Sequence, residues 1–131
     1  MMLANGAKLW GLLAAGTLLM RAAPAAAHHS GIMFEPTKTV TVTGVVKTFQ
    51  YTNPHSWLFV DVRAPDGSVQ TWGFEAEGPS TLMRAGITSS SLKPGTKVTV
   101  TARPMKDGRP AGAWVKLVTA DGKVLDPHAT Q

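Results

Sequence analysis

Threonine and valine alternate through "KTVTVTGVVKTFQY" (38–51) as far as Gly44, where Val45-Val46 shifts the phase. Alternation of period two sends successive side chains to opposite faces of a strand. A glycine at the phase break predicts a bulge or sharp coil inside one long first strand. "TNPH" (52–55) then reads as a turn, with Asn before Pro. "SWLFVDVRA" (56–64) is a second strand, "PDG" (65–67) a hairpin turn and "SVQTWGFEA" (68–76) a third strand.

The pattern changes at "GPSTLMRAGI" (78–87). Pro79 and Ser80 mark a helix start, Leu82 and Met83 an apolar side and Gly86 a C-terminal cap, which predicts about two helical turns. "TSSSLKPGTKVTVTARP" (88–104) supplies a Pro-Gly turn and a fourth strand with Val98 and Val100 inward. "KDGRPAG" is a loop, "AWVKLVTA" (113–120) a fifth strand, and "DG" turns into a short sixth strand, "KVL". Three strands, a short helix and two or three more strands form an all-β chain with one helix. A bent first strand that serves two sheets resembles the five- to six-stranded OB-like barrel, whose helix commonly sits between strands three and four. A small β-sandwich is the alternative.

The first 27 residues do not fit this scheme. Lys8 precedes the apolar run "LWGLLAAGTLLM" (9–20), Arg21 and Pro24 break it, and Ala25-Ala26-Ala27 forms an A-x-A site. A run of 12 is short of the roughly 20 apolar residues that span a bilayer, so residues 1–27 read as a secretory signal peptide. The expected compartment is the periplasm or the cell exterior, with no stable membrane span after cleavage. Residues 28–125 form the single domain and 126–131 a flexible tail. Of the 131 residues, 104 remain after cleavage, with 11 basic and 8 acidic groups. A charge of +3 without a run of like charges gives no nucleic-acid surface. The chain has no cysteine, which excludes thiolate chemistry and cysteine zinc sites.

Cleavage after Ala27 makes His28 the first residue, so its α-amine and imidazole can chelate one ion together. Nitrogen donors of this kind favour Cu(II). A third nitrogen from His29 or His55 would give a T-shaped set resembling the histidine brace of copper proteins. Cleavage after Ala25 would instead leave His28 third in the chain, as in the amino-terminal Cu(II)/Ni(II) motif. The competing reading makes these histidines ordinary polar residues beside a processing site, and His55 a turn residue that satisfies nearby backbone. Met33, Met83 and Met105 lack the close spacing of Cu(I) carriers. His128, in the tail, stays outside the candidate site.

Two other clusters carry weaker signals. Glu75 and Glu77 share a face if the strand continues, and Arg84 follows seven residues after Glu77. The expectation is a structural ion pair tying helix to sheet. Catalysis by paired carboxylates is disfavoured, because a nearby arginine keeps a carboxylate ionised. Trp57/Phe59 and Trp72/Phe74 each share a strand face and are expected in the core. Their alternative role is a ligand platform on strands two and three. No G-x-S-x-G, phosphate-binding loop or H-E-x-x-H occurs.

"HHS", "TGVV", "TNPHSW", "GFEAEGPSTLMRAGI" and "SLKPGTKVTV" together resemble a family of small exported proteins of Gram-negative bacteria, catalogued as a domain of unknown function. The resemblance covers about residues 28–125. Matching positions include His28, His29, Ser30, Asn53, Pro54, His55, Trp57, Glu75, Pro79, Leu82, Arg84, Gly86, Pro94 and Gly95. It implies a periplasmic single-domain barrel and names no activity. The sequence therefore points to an exported OB-like binding module, not an enzyme, with a Cu(II) site from His28, His29 and His55 for buffering or delivery. The alternative is a non-metal interaction module using Trp57, Phe59, Trp72 or Phe74.

Overall fold

A computed structural model describes residues 30–129 of the chain. The strands are β1 (Val40–Gln50), β2 (Ser56–Arg63), β3 (Val69–Ala76), β4 (Lys97–Pro104), β5 (Ala111–Thr119) and β6 (Val124–Leu125). A short helix, α1 (Pro79–Arg84), lies between β3 and β4, and a 3-10 turn, Ser30–Met33, precedes β1. The sheet order is β3-β2-β1-β4-β5-β6, and a further parallel pairing of β3 with β5 closes the first five strands into a barrel. All other pairings are antiparallel. This is the OB-like arrangement, with one extra strand on β5.

The long β1 makes closure feasible because its two halves pair with different strands. Residues 40–45 pair with β4 and residues 45–50 with β2. The bulge that accompanies this change of partner falls at Lys47, between Val46↔Val60 and Thr48↔Phe59, and not at the glycine. Gly44 serves a different purpose. A Cβ there would lie 2.4 Å from the Asp61 carbonyl oxygen and 2.7 Å from Val60 Cγ1, so only glycine lets β1 approach β2 this closely.

Alternate residues of each strand point into the barrel. Leu58, Val60, Phe74, Val100, Ala102 and Leu117 are fully buried there. Leu82 of α1 and Ile87 behind it plug one end. The helix closes with a Schellman cap: Ile87 N–H donates to Leu82 O (2.8 Å) and Gly86 N–H to Met83 O (3.0 Å), with Gly86 at φ 76°. The Tyr51 hydroxyl lies 2.8 Å from the Pro79 carbonyl and 3.0 Å from the Ile87 carbonyl, joining the end of β1 to both ends of the helical segment. Among the described residues no helix is long and apolar enough to cross a membrane.

Candidate functional site

The β2–β3 hairpin folds symmetrically about Asp66, pairing Arg63 with Val69 and continuing to Trp57↔Glu75 and Ser56↔Ala76. That register carries the turn before β2 to the C-terminal end of β3. Within the turn the Asn53–Pro54 peptide is cis, and the Thr52 hydroxyl donates to the His55 carbonyl (3.1 Å). Ser56, fully buried, donates its backbone N–H to the Glu77 carbonyl (3.3 Å). The turn packs directly on the start of α1. A Cβ on Gly78 would meet the Pro54 carbonyl oxygen at 2.8 Å and Asn53 Oδ1 at 3.0 Å.

This local geometry brings His55 against Glu75. Its Nδ1 contacts Glu75 Oε1, with the carboxylate only 9% exposed and the histidine side chain 29% exposed. A carboxylate is an acceptor, so this contact favours the tautomer with the proton on Nδ1. In the neutral imidazole the lone pair then resides on Nε2, the nitrogen left to meet a proton or a metal ion. Histidine ligands in metal sites use this arrangement, in which a carboxylate fixes tautomer and ring orientation from behind.

His55 and Glu75 line a cleft of about 150 Å³ beside the β3–β5 closure. Both ends of the described chain reach the same cleft. Gly31 and Phe34 enter from the N-terminal side, and His128 from the C-terminal side. The N-terminal segment is held there by a bridge pairing Phe34 with Met105, and by bonds from Glu35 N to Pro104 O and Lys106 N to Met33 O, both 2.9 Å. Trp114, 2% exposed, forms part of the wall. Its Nε1–H is buried with no acceptor among the described residues. An indole N–H can only donate, so an oxygen acceptor reaching that atom would satisfy it.

The fate of the predicted residues is mixed. His28 and His29 lie outside the described residues. Among the described residues no three histidine, cysteine or acidic side chains are grouped closely enough to hold a metal ion. The expected pairing of Glu75 and Glu77 with Arg84 is not formed. The Glu75 carboxylate is taken by His55, and Arg84 is exposed, donating to Thr81 Oγ1 at 3.1 Å along its own helix. Tyr51 ties the helix to the barrel instead.

The aromatics divide between the faces. Phe74 is fully buried and Trp72, stacked on it at 6.0 Å, packs against the core. Trp57 and Phe59 are half-buried on the opposite face of β2 and stack at 6.3 Å over Gly73, whose missing side chain leaves room for the Phe59 ring. Only this second pair offers a surface platform. The residue set aside by sequence reasoning was His128, because its separation from His55 along the chain gives no sign that the two share a cleft.

A family model matches residues 15–116. The chain belongs to DUF6152, a family of unknown function. The match spans His28, His29, His55 and Glu75 and stops before His128. No curated protein and no solved structure matches the chain.

Proposed function

We propose that the protein is an exported, periplasmic binding module that takes up Cu(II) for buffering or delivery, not for turnover. His55 and an N-terminal histidine site formed by His28 and His29 supply the nitrogens. The observation that carries this reading is the cleft shared by Gly31 and the Glu75-oriented imidazole of His55. A chain spans at most about 3.3–3.6 Å per residue, so His29 lies within about 7 Å of Gly31 along the chain and His28 within about 11 Å. Both histidines are therefore within chain reach of the cleft. Cleavage after Ala27 would add the free α-amine of His28 to the donor set, and nitrogen-rich sets of this kind favour Cu(II).

Two measurements test the reading together. Intact mass of the exported protein gives the mature N-terminus, expected at His28. Competition for Cu(II) against a free peptide with the same first residues then separates a built site from a loose end. The protein should win by at least tenfold, and parity with the peptide contradicts the reading.

The half-exposed Trp57–Phe59 stack supports a second reading, a non-metal interaction surface. It predicts that soluble oligosaccharides or peptides change the Trp57 contribution to fluorescence, obtained as the difference between the parent and Trp57→Phe. No change in that difference would remove it.

A further inference from the structure

Trp57 and Phe59 form a shelf on the outer face of β2. Their ring planes are 19° apart and their centroids 6.3 Å apart. Both rings lean over Gly73: a Cβ there would lie 3.3 Å from Phe59 Cε1 and 3.7 Å from Trp57 Cε3. Both are half-buried, so the sheet covers part of each ring and leaves the rest open. The strand register sets Trp57 opposite Glu75 and Glu75 opposite Ala113, and sets Phe59 opposite Gly73 and Gly73 opposite Ala111. Directly opposed residues share a sheet face. Toward β5 the shelf therefore meets only methyl groups and no bulky side chain. At Glu75 and Ala113 it runs into the cleft that both of these residues line.

We propose that this shelf and the adjoining cleft bind an uncharged pyranose chain. This rests on the second reading above, the interaction surface at Trp57 and Phe59, and names its ligand class. One face of a pyranose presents C–H groups, which suit the electron-rich face of an aromatic ring. The hydroxyls at the ring edge donate, and the cleft end of the shelf supplies acceptors. Glu75 and Glu77 line it, with no lysine or arginine among the described lining residues. His55 takes Glu75 Oε1, while Oε2 has no partner among the described residues. A hydroxyl that donates to this carboxylate makes a charge-assisted bond. A peptide brings as many carbonyl acceptors as N–H donors, and an acceptor-rich end leaves those carbonyls unpaired. An acidic ligand meets two carboxylates of its own sign.

The test titrates cellotetraose and chitotriose into the mature, tag-free, metal-free protein. NMR follows the Trp57 indole N–H, and calorimetry gives the affinity. At least one sugar should shift that signal saturably, and the preference between them identifies a glucan or an N-acetylated amino-sugar polymer as the source. Trp57→Leu keeps an apolar cover and removes the flat ring, while Glu75→Gln keeps the shape and removes the charge. Each should weaken binding about tenfold in a protein that still shows a cooperative melting transition. Unchanged affinity in either folded variant overturns the inference, as does trigalacturonate binding as tightly as the neutral sugars. A phenylalanine-containing peptide that shifts the Trp57 signal when neither sugar does overturns this inference alone. No shift from any of these probes overturns it together with the second reading.

Discussion

Nδ1 of His55 contacts the buried carboxylate of Glu75 across the hairpin; a proton on the nitrogen that faces this acceptor leaves Nε2 as the free nitrogen of the ring. Glu75→Gln keeps an oxygen acceptor and removes the charge, while Glu75→Ala removes both. Carboxylates behind histidine ligands are typically worth about 10–100-fold in metal affinity. The expected order of Cu(II) affinity is parent, then Glu75→Gln, then Glu75→Ala. Long-range ¹H–¹⁵N NMR of the metal-free protein reads the same bond directly: His55 should be a single Nδ1–H tautomer in the parent and a mixture in Glu75→Ala.

Gly78 controls how closely the His55 turn sits on the helix. The added methyl of Gly78→Ala would lie 2.8 Å from the Pro54 carbonyl oxygen, so backbone must move. Overpacking of this kind costs about 1–3 kcal/mol. The shift displaces residues 52–55 and should weaken Cu(II) binding along with stability, measured by chemical denaturation and metal competition on the same sample.

Gly44 separates fold from site. Gly44→Ala forces a methyl against the Asp61 carbonyl where β1 changes partners, far in the sheet register from the cleft residues. It should destabilise by an amount comparable to a core truncation such as Leu58→Ala, about 2–5 kcal/mol. The residual folded fraction should keep its copper affinity.

Acid sensitivity should arise in the loops. The Ser68 hydroxyl, then its backbone N–H, hold the Asp66 carboxyl below its usual range. Arg109 does the same for Asp107 through its backbone N–H and then its guanidinium, and for Asp121 the Thr119 hydroxyl and then the Lys123 backbone N–H do so. A carboxyl whose folded pKa is depressed contributes stability above its unfolded pKa, about 3.9, and loses it as pH falls through the folded value. Stability should therefore decline below about pH 4, and Asp66→Asn, Asp107→Asn and Asp121→Asn together should flatten that decline. An equally steep decline in the triple variant would contradict this assignment.

Much of the barrel was legible because its strands alternate and its breaks are marked by Pro and Gly. Val98 and Val100 are buried as their spacing predicts. The bulge was not legible at its true position, because Gly44 marks a close backbone approach and Lys47, the inserted residue, has no special backbone chemistry. The parallel β3–β5 closure joins residues far apart in sequence and leaves no local signal. The His55–Glu75 pair did have one. Folding the hairpin symmetrically about Asp66 brings His55 to the end of β3, but a charge-based reading assigned Glu75 to Arg84, which the structure turns outward. The convergence of Gly31 and His128 on one cleft depends on tertiary packing of both chain ends, and local patterns do not encode it.

The most direct test of the central claim is a Cu(II) titration of the mature, tag-free protein, followed by EPR and compared with His55→Ala. The copper reading predicts a single tight site in the parent whose spectrum loses a nitrogen donor and whose affinity falls at least tenfold in His55→Ala. Identical affinity and spectra for the two proteins would contradict it.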